Sequence, residues 1–185
     1  MKIAIGTGKR NMGEGWFHID GARFPHIQSD DIWLGQLPDD SADVIYSSHF
    51  LEYFNRQFGL ELVKCWHRVL IPGGTIRLAV PDFDAMADAL LNKGFKLKDI
   101  LGPLYGKMMM GNQEIYHKTV YNYEDMVEFL TSAGYKDVRR YDWRETDHAN
   151  IDDCSRAYLP HDSEAIRTGI FDNHLLISLN VEATK

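Results

Sequence analysis

"GTGKRNMGEGWFHID", Gly6 to Asp20, lies between two short apolar runs, KIAIG (2–6) and WFHID (16–20). Each has the length and composition of a buried strand in a parallel sheet. A glycine turn after one strand, with an acid ending the next, is how an open α/β sheet holds a nucleotide. The stretch departs from the dinucleotide pattern in two respects. GxGxxG needs a third glycine, and Gly6-Thr7-Gly8-Lys9-Arg10-Asn11 has asparagine there. Seven residues separate Gly8 from Trp16, whereas a crossover with its helix takes at least about 10 to 12. Without that helix there is little dipole for a pyrophosphate, so the stretch suits a nucleoside that lacks phosphates.

Asp20 then has a role, because a carboxylate at a strand end can accept from both ribose hydroxyls. NAD offers that ribose, and so does S-adenosylmethionine, which has no phosphate and carries a cationic sulfonium that tolerates an acidic rim. An NAD-binding oxidoreductase is therefore the rival reading, weakened by the absent glycine and helix. Taken alone, Gly6 and Gly8 would indicate only a tight turn.

Outward from this stretch, short strands are expected at 26–33 and 43–48. Leu60, Leu62, Val63, Trp66, Val69 and Leu70 recur at helical spacing over 55–70, and Pro72-Gly73-Gly74 is expected to stop that helix before a strand at 75–80. Helical patterns return at 83–91 and 123–133, and strands are expected at 138–143 and 175–181. Strands alternating with helices, followed by two late strands, predict an α/β fold: a three-layer Rossmann-like sandwich with a mostly parallel sheet and an antiparallel late strand pair. One domain is expected over 1–185, with an acceptor-site or lid region at about 93–121 and a long binding loop at about 144–172.

Composition narrows the partners. The chain has 185 residues, 44% hydrophobic and 25% charged, with a formal net charge of −7 and no long basic run, so nucleic acid is not expected. Cys65 and Cys154 lie far apart without a ligand spacing, which predicts neither a disulfide framework nor a structural metal. No apolar run approaches the roughly 20 residues of a membrane span, and no leader pattern precedes the first strand, so a cytoplasmic protein without a membrane partner is expected.

Longer segments carry a resemblance. AIGTGKRNMGEGWFHID, LPDDSADVIYSSHFLEYF, WHRVLIPGGTIRLAVPD and YNYEDMVEFLTSAGYKDVRRYD occur in the order of the blocks of class I S-adenosylmethionine-dependent methyltransferases, and together they cover most of the chain. The chain most resembles the small bacterial, type 11-like members. Thr7 stands where cysteine is common, and Tyr53 where histidine often follows Leu-Glu. The resemblance implies S-adenosylmethionine as cofactor, with Gly6, Thr7 and Gly8 near its methionyl part and Asp20 on the ribose. It also implies Asp31 and Ile32 flanking the adenine, and Ser48 and His49 at the reactive end. The implied activity is methyl transfer to a small-molecule or saccharide acceptor; a non-catalytic binding module of the same fold is a further alternative.

A base is needed only if the acceptor loses a proton, and histidine suits that task. The candidates are His49 and His117; each could equally be a structural histidine bonded to its surroundings. Arg144, Arg156 and Tyr158 could hold an anionic or sugar-bearing acceptor, or form surface ion pairs. Asp147, His148, Asp152 and Asp153 read as a hydrated loop, and Met108 to Met110 as packing for a core or lid.

Overall fold

Ile3, Ala4 and Ile5 have no exposed surface, as a strand covered on both faces requires. The computed structural model describes residues 1–168, 170 and 173–185. In chain order the elements are β1 (Lys2–Ile5), β2 (Trp16–Ile19), β3 (Ile27–Ser29), β4 (Ala42–Ser48), α1 (Arg56–Val69), β5 (Leu70–Pro81), α2 (Phe83–Asn92) and α3 (Leu97–Tyr105). There follow β6 (Met108–Met110), β7 (Gln113–Ile115), α4 (Tyr123–Ser132), β8 (Lys136–Arg140), β9 (Tyr158–Leu159), α5 (Ser163–Thr168), β10 (Leu175–Leu176) and β11 (Ser178–Thr184). Among the described residues, seven strands form one sheet in the order β3-β2-β1-β4-β5-β11-β8, and β6-β7 and β9-β10 are separate pairs.

β1 pairs in parallel with β2 on one side and β4 on the other, with Ile5 opposite both Ile19 and Ser47. That register brings the carboxyl ends of the three strands level, so Gly6, Asp20 and Ser48 share one rim. β11 runs antiparallel to both β5 and β8, the expected late pair, and α5 lies in the connection before it.

Side chains alternate across β4 and divide the core in two. Ile45 joins Ile3, Ile5, Leu62, Val63 and Trp66 beneath α1 and α4. Tyr46 joins Ala4, Met12 and Trp16 on the opposite face, with Ile151 packed against them. α1 begins at Asn55, whose side chain accepts from the Phe58 N–H at 2.9 Å.

One expectation is corrected, and two segments hold elements that the periodicity did not show. β5 begins at Leu70, directly after α1, and runs through Pro72-Gly73-Gly74, which was read as a break. The pairing shifts between Ala42 and Val44 to absorb the extra residues, and a Cβ on Gly74 would lie 2.9 Å from the Ile71 carbonyl oxygen. The segment 93–121 holds α3 and the β6-β7 hairpin, neither of which the periodicity showed. The expected loop 144–172 carries β9, α5 and two 3-10 turns, and its residues 169, 171 and 172 lie outside the described residues. Among the described residues no helix is long and apolar enough to cross a membrane.

Trp66 is fully buried and its Nε1–H donates to the Ile32 carbonyl at 2.7 Å, joining α1 to the end of β3. Trp66→Ala is expected to lower unfolding free energy by about 3–5 kcal/mol, measured by urea denaturation.

Candidate active site

Gly6 has φ of +74°, and its N–H donates to the Ile19 carbonyl at 2.8 Å. A Cβ there would lie 2.4 Å from the Phe50 ring, so the turn admits only glycine. Two residues on, the Gly8 N–H donates to Asp20 Oδ2 at 2.7 Å, and the Ala22 N–H donates to Oδ1 at 2.7 Å. Each carboxylate oxygen keeps a lone pair for another donor. The glycine turn therefore aims Asp20 as well as preceding it.

Between the ends of β1 and β4 lies a shallow, open cleft lined by Gly6, Thr7, Arg10, Tyr46, Ser48 and Asp153. Thr7 Oγ1 and Ser48 Oγ are buried without a hydrogen-bond partner among the described residues. Two orphaned hydroxyls at a nucleotide-type rim leave hydrogen bonds for a ligand to complete. Arg10 borders the same space and is held by the Asp152 carbonyl at 2.8 Å. The sequence reading missed Arg10, whose partners lie more than 140 residues away.

Asp31 and Ile32 sit at the end of β3. The Asp31 carboxylate accepts from the N–H groups of Trp33, Gly35 and Gln36, at 3.1, 2.7 and 3.4 Å, and so folds the turn that follows. Ile32 is half-buried against the main core.

His49 and His117, expected separately, meet at one side chain. Glu52 is fully buried, and its Oε1 lies 3.4 Å from His49 Nδ1 and 3.6 Å from His117 Nε2. Neither Glu52 oxygen completes a hydrogen bond among the described residues. Burial pushes the Glu52 carboxyl up to about 8. Burial also pushes His49 down to about 3, aided by the charges of His117 and Arg10, and holds His117 below its ordinary value. The three therefore form a neutral knot near pH 7. Glu52 follows His49 by three residues in the segment that carried the resemblance, and that spacing was the available signal.

His49 has a left-handed φ of +49°, uncommon for a side-chain-bearing residue. Its Nε2 lies 3.2 Å from Ser178 Oγ on β11. The His117 ring packs on Gly106, where a Cβ would come within 1.8 Å of Nε2, and stands edge-on to Tyr53 with ring centroids 4.7 Å apart.

Arg144, Arg156 and Tyr158 gather around Trp143, which the sequence reading did not single out. Both guanidiniums lie over its ring, at 4.7 and 4.9 Å from the centroid, and its Nε1–H donates to the Tyr158 hydroxyl at 3.2 Å. The hydrated-loop reading of 147–153 is corrected. The buried His148 packs on Tyr46 with ring centroids 4.0 Å apart, and Asp153 accepts from the Tyr46 hydroxyl at 2.5 Å. Asp147 pairs with Lys2 and Arg77. Among the described residues no cluster of three or more His, Cys, Asp or Glu side chains could hold a metal ion.

Comparison with known proteins bears on this rim. Residues 17–78 match the family model described as a methyltransferase domain. Solved structures align along the whole chain. The fold is that of the S-adenosylmethionine-dependent methyltransferases. The methyltransferase from Archaeoglobus fulgidus has a TM-score of 0.54 at 16% identity, covering 100% of this chain and 85% of its own. Those from Methanosarcina mazei and Mesorhizobium loti, also 16% identical, have TM-scores of 0.55 and 0.54 and again cover 100% of this chain, with 91% and 90% of their own. No curated protein matches by sequence. At these identities the likeness shows the methyltransferase fold.

The Glu52 knot makes a prediction about stability. Its folded-state value of about 8 lies above its ordinary value of 4.5, so between those pH values the folded chain binds more protons than the unfolded one. Stability from this group is lost as pH rises through that window. The melting temperature of Glu52→Gln minus that of the natural chain is expected to grow from about pH 5 to pH 8 and level off above, as measured by calorimetry across pH.

Proposed function

We propose that this protein binds S-adenosylmethionine along the rim of β1, β2 and β4 and transfers its methyl group to a small-molecule or saccharide acceptor. The carrying observation is Asp20, pinned by the Gly8 N–H beside a cleft that holds the unpartnered hydroxyls of Thr7 and Ser48. The methyltransferase-domain match and the fold of the structural neighbours support the same cofactor.

The residues present fit it. Asp20 would take the ribose hydroxyls, Asp31 and Ile32 would flank the adenine, and the Gly6–Gly8 turn with Thr7 and Ser48 would receive the methionyl end. The cleft encloses little space of its own, so the nucleoside would lie along the open rim toward Asp20. When bound, S-adenosylmethionine supplies a methyl group on a sulfonium, open to in-line attack by a nucleophilic atom. The protein's part is to align that atom and exclude water.

A hydroxyl acceptor must also lose a proton. In this reading His49, next to Ser48 of the cleft, receives that proton at Nε2, the nitrogen that Ser178 Oγ faces, and releases the Nδ1 proton to Glu52 once Glu52 is ionised. His117 holds the other side of Glu52. Arg144, Arg156 and Tyr158 would contact the acceptor from the late segment, and residues 93–121 would border it. A cytoplasmic setting accords with the two free cysteines.

S-adenosylhomocysteine is expected to raise the melting temperature in a thermal shift assay, by about 2.7 kcal/mol of added stability at 100 times its Kd, while NAD leaves it unchanged. Asp20→Ala should weaken that binding at least about tenfold, the loss of a hydrogen-bonded charge. Retention of full affinity by this variant would remove Asp20 from the ribose site. With a hydroxyl acceptor, turnover is expected to rise with pH until Glu52 ionises near 8. Glu52→Gln should abolish that rising limb and leave S-adenosylhomocysteine binding intact, as a pH–rate profile would record.

A further inference from the structure

Eight exposed large apolar side chains lie within 26 residues, on α3, the β6-β7 hairpin and their flanks. On α3, Leu97, Leu101 and Tyr105 recur every fourth residue and are 59%, 42% and 56% exposed. The other side of this helix is apolar as well, with Ile100 buried and Leu104 packed against the Met86 cluster. Apart from Lys98 and Asp99 in its first turn, α3 is thus apolar on its outer stripe as well as its inner one, which a helix facing only water would not be.

The hairpin repeats the observation. Met108, Met109 and Met110 form β6, and successive side chains on a strand point to opposite faces. All three are exposed, so both faces of this strand present thioethers to solvent. A protein surface laid against one face would leave the other wet, whereas the headgroup–acyl boundary of a bilayer is fluid and surrounds both. An isolated two-stranded hairpin also gains little stability from its own contacts.

Charge supplies the second argument. Lys93, Lys96, Lys98, Lys107 and Lys118 fall between positions 93 and 118 against Asp99 and Glu114, in a chain whose formal net charge is −7; Lys107 pairs with Glu114 and Lys93 with Asp88 of α2, and Lys96, Lys98 and Lys118 carry the excess. All five lysines are exposed. A twofold contact between two copies through this patch would set the lysines of one against those of the other. An anionic lipid surface complements both the lysines and the apolar side chains.

We propose that residues 91–118 are a docking surface for an anionic lipid bilayer, with the methionine strand and the outer stripe of α3 at headgroup depth and the lysines on the lipid phosphates. This surface is separate from the absence of a membrane-spanning helix, since it lies on the membrane and does not cross it.

The test is cosedimentation of the whole chain with vesicles, either phosphatidylcholine alone or equal parts phosphatidylcholine and phosphatidylglycerol. The expected result is partition onto the mixed vesicles, weaker on phosphatidylcholine and weaker at high salt. Met108→Ser with Met109→Ser and Met110→Ser, and separately Lys96→Glu with Lys98→Glu, should each lower partition at least about tenfold while melting as the natural chain does. Lys136→Glu, on β8 outside the patch, should leave it unchanged. Absence of binding to the mixed vesicles would overturn the proposal, as would binding that the methionine and lysine variants leave intact. A solution dimer that the methionine variant dissolves, without vesicle binding, would assign the surface to a second copy instead.

Discussion

Seven residues must carry the chain from Gly8 to a parallel neighbouring strand, and much of the architecture answers that constraint. A parallel connection has to cross one face of the sheet, and the usual device, a helix, also covers that face. Here the crossing is made by an extended segment that contributes Met12, and the face beneath it would remain open around Tyr46. A segment distant in sequence closes it: His148 packs on Tyr46, Asp153 accepts its hydroxyl, and the Ser155 carbonyl accepts from Asn180 on β11 at 2.9 Å. The short crossing and the late wall are two halves of one solution, and the cleft lies between them.

This explains which parts could be read from the chain. β1, β2, α1 and the glycine turn declare themselves because their signals are local: an apolar run, a helical period, a residue suited to positive φ. The antiparallel late pair followed from the absence of a long helical pattern between two runs. Arg10 and Asp153 gave no such sign, since each acquires its role from partners across the sheet. Met108 to Met110 read as packing for a core or lid, and their composition says nothing about which side solvent would occupy.

Glu52 shows a different limit. Its spacing from His49 was visible, yet the property that matters is desolvation, which depends on His117 arriving from a segment more than 60 residues later. A carboxyl with neither water nor a charged partner stays protonated, and its neighbouring imidazoles stay neutral. Two histidines that looked like competing candidates are thereby members of one titrating group. Any perturbation of the neck where His117 meets Gly106 will reach the end of β4 through this contact.

The position of β11 has a consequence for the order of folding. It is inserted between β5 and β8, hydrogen-bonded to both, although both precede it in the chain. Until residues 178–184 are available, β8 has no partner in the sheet and Ser178 cannot approach His49. A ribosome-bound chain that has released only β1 to β5 would thus expose an open strand edge on β5. Long-range closure of this kind is slow relative to hairpin formation, and it makes completion of this edge of the sheet a late event in the protein's synthesis.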